Sequence, residues 1–156
     1  MSGEPVPGCE LCAAASPTGA WQVVAADDRL RVLRVLDAPA FPAFYRVVWR
    51  THVAEFSELS AADRLHCMEA VAAVEQALRQ ALAPTKINLA SLGNVVPHLH
   101  WHVVARFAWD SHFPAPIWAA AQRASPDDAA AQVASRLAAV DAAIEAALAG
   151  LSPGRG

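Results

Sequence analysis

Pro97-His98-Leu99-His100-Trp101-His102-Val103-Val104 sets three histidines in strict alternation with apolar residues. In a β-strand successive side chains point to opposite faces. His98, His100 and His102 then line one face, and Leu99, Trp101 and Val103 are buried on the other. Neighbouring histidines on that face lie roughly 7 Å apart, near enough to surround one small anion or one metal ion. On a helix the same residues would scatter around the axis, so the stretch is predicted as a strand, running from about Pro97 to Phe107.

The strand before it is Lys86 to Leu92, and the Gly93-Asn94 turn signal between the two predicts an antiparallel hairpin. Further upstream, Ser60 opens a long helix with Asp63 as its capping partner. Leu65, Met68, Val71, Val74, Leu78 and Leu82 form that helix's apolar stripe, and Pro84 stops it. His66 and Cys67 within it read as a surface histidine and a small packed thiol. Trp21–Ala25, Arg29–Leu36 and Tyr45–Trp49 are three more strands, the second alternating arginine with aliphatics. Asp37 stands just past the second, and Arg50-Thr51-His52 follows the third. After the histidines, Asp110–Trp118 is a Pro/aromatic loop expected to pack over one edge of the sheet. Ser125-Pro126-Asp127-Asp128 then supplies an N-cap, a proline and two acids for a last helix. Val133, Leu137, Val140, Ile144 and Leu148 are its stripe, and Gly150 closes it. The pattern is α+β: a mostly antiparallel sheet of about five strands, a long middle helix and a C-terminal helix. We expect a single domain over residues 1–156, with its core at about 9–108 and a C-terminal loop and helix at 109–150.

Composition narrows the function classes. With 55% hydrophobic and 17% charged residues the 156-residue chain suits a globular protein rather than a disordered one. A net charge of −3 argues against a nucleic-acid surface, which needs a basic face. No apolar run approaches the ~20 residues that span a bilayer, and the first residues lack the pattern of a signal peptide. A cytoplasmic location is the expectation, with no membrane or nucleic-acid partner. The three cysteines then read as thiols or metal ligands rather than a disulfide framework. Cys9-x-x-Cys12 taken alone is half of a zinc site, a redox pair or two unremarkable thiols.

Three explanations compete for the histidines: partly exposed side chains without a role, ligands of a catalytic metal, or nucleophilic catalysis at phosphorus, one imidazole attacking while its neighbours stabilise the growing charge. His98-Leu99-His100-Trp101-His102-Val103-Val104 resembles the histidine-triad motif, H-φ-H-φ-H-φ-φ, of the HIT superfamily of nucleotide hydrolases and transferases. Asp37, Arg50-Thr51-His52 and Asn88 resemble its landmarks, and the likeness runs from roughly Cys9 to Arg106. Leu92–Pro97 and Phe113–Trp118 resemble a bacterial branch of the family.

The resemblance implies a mechanism. His100 attacks the α-phosphorus of a nucleotide to form a nucleotidyl-histidine, a backbone carbonyl holding its other ring nitrogen. His102 hydrogen-bonds a non-bridging oxygen, and His98 is counted with them as the third catalytic histidine of the motif. Asp37 takes the ribose hydroxyls, a task that suits a carboxylate, Asn88 contacts the phosphate region, and aliphatic residues of the first strands flank the base. Val95 departs from the pattern, because many members have Ser or Thr there to donate a hydrogen bond. Asn94, beside it, stands where glutamine is common. Relatives that carry an N-terminal C-x-x-C use it with two histidines to bind structural zinc, which implies Cys9, Cys12, His52 and His98 as ligands here. Such a set is closed and leaves no position for catalysis. No organic cofactor is implied. The expected protein is a homodimeric nucleotidyl hydrolase or transferase acting on AMP-type phosphoanhydrides or phosphoramidates. The alternatives are a nucleotide-binding module of the same fold with little activity and a metal-dependent hydrolase using the histidines as ligands.

Overall fold

In the computed structural model, which describes residues 4–14 and 19–151, the histidine strand lies inside a five-stranded antiparallel sheet. The strands are β1 (Trp21–Ala26), β2 (Leu30–Val35), β3 (Phe44–Trp49), β4 (Lys86–Ala90) and β5 (His100–Arg106), in the order β1-β2-β3-β5-β4. Helix α1 (Ala61–Leu82) carries the chain from β3 to β4, and β4 and β5 form the expected hairpin. Gly93, at φ +76, makes the turn that an L-residue resists. Strand β4 ends two residues before the predicted Leu92, where Ser91 Oγ donates to the carbonyl of His100 at 3.0 Å.

One face of the sheet is packed by helices. Val32, Tyr45, Val47, Val103 and Ala105 meet Val71, Val74 and Leu78 of α1 in the main core. The predicted stripe of α1 holds except at its start. Leu65 is 63% exposed, and Cys67, Ala70 and Ala77 are the additional buried residues. Ser60 caps the helix by accepting from the Asp63 amide at 3.1 Å. At the other end Ala83 takes the left-handed conformation, φ 45, where glycine is usual.

Two corrections fall in the helices. His66 is not a surface histidine: its ring contacts the Asp27 carboxylate at 2.6 Å with 9% of its side chain exposed. Asp27 also accepts the amides of Arg29 and Leu30, so the pair ties the β1–β2 turn to α1. The C-terminal helix is two helices, α2 (Asp127–Ala134) and α3 (Leu137–Leu151). They part at Ser135, whose hydroxyl donates to the Gln132 carbonyl, the competition through which serine interrupts helices. Pro126, rather than Ser125, occupies the N-cap of α2. Helix α3 packs on α1 and β1, and Asp141 accepts from Tyr45 Oη at 2.7 Å and from Arg34 Nε at 3.1 Å.

Candidate active site and metal centre

Among the described residues, the other face of the sheet carries no helix. Because β3 and β5 are antiparallel with Arg46 opposite His102 and Val48 opposite His100, these four side chains project to the same side. Two segments fold over this face. The N-terminal turn around Cys9–Ala14 seats Leu11 and Ala14 against Trp21, Leu33 and Val48. The segment after β5 packs Ile117 beside Phe41, Phe44 and Val104 and brings the Trp118 ring to 5.3 Å from His102. The Pro/aromatic loop therefore covers the open face, not an edge of the sheet as predicted. Its anchor is Arg106, almost fully buried, which donates to both carboxylate oxygens of Asp110 at 2.8 and 3.0 Å, to the Ala115 carbonyl and to Asn88 Oδ1. Asp110 accepts in turn the amides of Phe107, His112 and Phe113.

A cleft of about 550 Å³ remains between these coverings, floored by His100, His102 and Arg46. Its walls are Glu10 and Leu11 on one side, Leu92 to Val96 on another, and Trp118 on a third. The two imidazoles sit 4.8 Å apart, centre to centre. His100 Nδ1 donates to the backbone carbonyl of His98 at 2.6 Å. A carbonyl only accepts, so the proton is on Nδ1 and Nε2 keeps its lone pair. Burial lowers the pKa of His100, the Arg46 charge adding to the effect, although the bond to His98 opposes it. Burial pushes His102 further down, to about 3, with His100 and Arg46 contributing. Both rings are neutral near pH 7.

His98 does not join them. It precedes the strand proper and is wholly buried, with Nε2–H donating to the Trp49 carbonyl at 2.6 Å. Its Nδ1 therefore presents a lone pair, and it faces Cys9 Sγ at 3.4 Å and Cys12 Sγ at 3.5 Å. His52 Nδ1 lies 3.4 Å from Cys12 Sγ, and the four donor atoms of Cys9, Cys12, His52 and His98 fall within 4.8 Å of one another. Tetrahedral zinc bound by sulfur and nitrogen at about 2.0–2.3 Å spaces its ligand atoms by roughly 3.3–3.8 Å. The tetrad is close to that spacing. The bond from His98 to Trp49 is the outer contact that metal-binding imidazoles ordinarily make, fixing the tautomer so that the free nitrogen faces the ion. Donor chemistry and geometry both fit a divalent metal of the zinc type, held behind the cleft.

The other residues singled out from the sequence are dispersed. Asn94 lines the cleft. Asn88, on the histidine face opposite Val104, is bonded to Arg106 and is not among the lining residues. Asp37 is exposed beyond the end of β2, also away from the lining, and its charge acts on Arg46 through space. Among the described residues, none of β1 or β2 lines the cleft, so its apolar walls come from Leu11, Leu92, Val95, Val96 and Trp118 instead. Sequence reasoning passed over Arg46, Glu10 and Trp118. An arginine inside the otherwise apolar run Phe44–Trp49 was the available signal for the first. Nothing local marks Trp118.

An antiparallel sheet with helices on one face and two neutral imidazoles in a nucleotide-sized cleft on the other defines a histidine-triad fold. The HIT domain family model matches residues 20–109, more than half of the sequence, and the chain belongs to that family. As a family, HIT proteins are nucleotide hydrolases and transferases. Among solved structures, a histidine triad protein from Bradyrhizobium japonicum is 26% identical, with a TM-score of 0.65 over 83% of this chain and 91% of its own. One from Marinobacter aquaeolei is 24% identical, with a TM-score of 0.67 over 92% and 96%. A zinc-bound histidine triad family protein from Mycobacterium smegmatis shares the fold at 17% identity, with a TM-score of 0.52 over 86% and 94%. None of the curated proteins matches the chain.

Proposed function

We propose that the protein is a nucleotidyl hydrolase or transferase that works through a covalent intermediate on His100. The observation that carries this is the bond from His100 Nδ1 to the His98 carbonyl, which leaves Nε2 unprotonated in a neutral ring lining the cleft. In the first step Nε2 attacks the α-phosphorus of an AMP-type phosphoanhydride or phosphoramidate. The P–Nε2 bond forms and the bond from phosphorus to the leaving oxygen or nitrogen breaks, the leaving group departing with the bonding pair and taking a proton from solvent. In the second step the oxygen of water, or of an acceptor hydroxyl, bonds to the same phosphorus and gives up its proton to solvent, the P–Nε2 bond breaks with its pair returning to Nε2, and His100 is regenerated as the neutral ring. His102, neutral beside it, donates an N–H to a non-bridging oxygen whose charge grows in each transition state. Asp37, Asn88 and Asn94 are the remaining residues we assign to substrate, for the ribose, the phosphate region and the cleft rim. A homodimer and a cytoplasmic location belong to this proposal by likeness to the family, and among the described residues no helix is long and apolar enough to cross a membrane.

We assign Cys9, Cys12, His52 and His98 to one structural zinc, following the fit of the donor set and the zinc-bound relative. When bound, the ion supplies charge neutralisation for two thiolates and a cross-link between the N-terminal turn and the sheet. It leaves His100 and His102 outside the ligand set, which favours covalent catalysis over a metal-dependent hydrolase. The exposed Val95, which offers no hydroxyl, favours the low-activity binding module as the second reading.

Replacing His100 with alanine tests the proposal. Turnover of AMP derivatives, dinucleoside polyphosphates included, is expected to fall on the order of a thousandfold or more, as when a covalent nucleophile is lost. The acid-labile adduct trapped from the wild type should also disappear. Wild-type turnover in His100→Ala would overturn it. Tight AMP binding with no turnover of any substrate in the wild type would establish the second reading.

A further inference from the structure

Among the described residues Arg46 makes no ion pair, Asp37 and Glu10 acting on it only through space. It rises from β3 directly opposite His102, lines the same cleft, and has its guanidinium carbon 5.5 Å from the centre of the Phe44 ring. Its Nε is buried and has no hydrogen-bond partner, and among the described residues no carboxylate approaches it within 4.0 Å. Compare Arg106, four residues beyond His102 on the same face, which makes four hydrogen bonds, to Asp110, Asn88 and a carbonyl. A guanidinium offers five donors and cannot discharge by losing a proton. Leaving a buried donor of this kind unpaired is costly, which makes an anion from solution its natural complement.

The rest of the cleft needs such a group. Glu10 and Arg46 are its only charged lining residues among those described. A nucleophilic imidazole has to present a free lone pair, which the bond from His100 Nδ1 to the His98 carbonyl provides at Nε2, so the attacking ring is not itself a source of positive charge for a phosphate. A hydroxyl donor is missing at Val95 as well, whose side chain is apolar and 93% exposed. A guanidinium set beside the histidines lets one site attract phosphate without asking the attacking nitrogen to carry the charge.

We propose that Arg46 is the phosphate-binding residue of this cleft, donating from its guanidinium to the phosphoryl oxygens of the substrate in place of the hydroxyl that Val95 lacks. The proposal rests on the nucleotidyl-transfer reading for the identity of the substrate, but not for its charge. It commits the site to ligands with anionic phosphoryl groups and makes Arg46, rather than the histidines, the source of ground-state affinity.

Calorimetric titration of the full chain with pyrophosphate, AMP and adenosine tests it, using wild type, Arg46→Gln and Arg46→Lys. Charge-assisted hydrogen bonds are worth roughly 10- to 100-fold in affinity. Arg46→Gln should weaken pyrophosphate and AMP by that factor while adenosine changes by no more than about twofold. Arg46→Lys should fall between, since it keeps the charge and loses the planar fork. Unchanged pyrophosphate and AMP affinity in Arg46→Gln, or an equal loss for AMP and adenosine, would overturn the proposal, the second because it signals a role in shape alone. If Arg46→Gln does not fold by circular dichroism, Arg46→Lys decides, and wild-type pyrophosphate affinity in it counts against the proposal. Wild-type protein that binds pyrophosphate but not AMP refutes the nucleotide reading and leaves Arg46 in its role. Wild-type protein that binds neither refutes both.

Discussion

At the scale of single residues, the two cleft histidines are set apart from ordinary imidazoles by what surrounds them. His102 has no hydrogen-bond partner at Nδ1 among the described residues, stands beside Arg46, and has a pKa of about 3. The unfolded chain protonates this histidine near its usual ~6.5, so between that value and about 3 the unfolded state binds more protons than the folded one. Stability therefore rises with pH across this window and is lost as pH falls through it. Equilibrium unfolding by urea at a series of pH values should give a slope between pH 6 and 4 that is shallower in His102→Gln by up to about one proton. An identical slope in the two proteins would contradict the environment described for His102.

At the scale of elements, the segment after β5 owes its position to one buried ion pair. Arg106 and Asp110 are 1% and 3% exposed, four residues apart, and hold the turn that brings Trp118 over His102. Hydrogen bonds from Arg106 and from three backbone amides lower the Asp110 pKa, even though burial pushes the other way. Arg106→Met leaves that carboxylate buried without its cation, a change that costs about 3–5 kcal/mol. We expect a loss of this size in chemical denaturation. The freed segment should also gain proteolytic cleavage sites between residues 107 and 118. A loss below about 1 kcal/mol, the range of surface pairs, would mean that the pair does not carry the loop.

At the scale of the whole molecule, the metal tetrad joins parts far apart in sequence: the N-terminal turn, the stretch after β3 at His52, and His98 just ahead of the histidine strand. His98 has two roles in this arrangement, since its ring faces the thiols while its carbonyl fixes the tautomer of His100. Elemental analysis should find close to one zinc per chain. Chelation at neutral pH should lower the melting temperature by about 10 °C or more, structural sites being worth several kcal/mol. The same loss is expected for Cys9→Ser and Cys12→Ser. A metal-free protein that melts with the wild type would remove the tetrad from the account of stability.

What the sequence determined by itself is local and periodic. The alternation around His100, the hairpin signal at Gly93-Asn94, the cap at Ser60 and the apolar repeat in α1 are short-range instructions, and each appears in the structure at or within a few residues of its expected place. The histidine motif and the Cys9-x-x-Cys12 pair pointed to residues that the structure gathers, His100 and His102 in the cleft and the thiols beside His52 and His98, whereas the landmarks Asp37 and Asn88 lie outside the cleft lining. Tertiary structure decided the partners. Leu65 fits the helical period yet faces solvent, because period does not say which edge of a stripe the sheet will cover. His66 reads as exposed in the sequence because Asp27, on the distant β1–β2 turn, reaches it only in the folded chain. Arg46, marked in the sequence only as a charge within an apolar run, reaches the cleft through strand register, and Trp118 through the Arg106–Asp110 turn, which leaves no local mark. Even the three histidines, equivalent by spacing and told apart in the sequence only by family resemblance, separate physically in three dimensions, where His98 turns to the sulfurs and His100 and His102 stay with the cleft. Local free energies choose helix, strand and turn from nearby residues, whereas a site is a set of contacts across the chain, fixed only by packing.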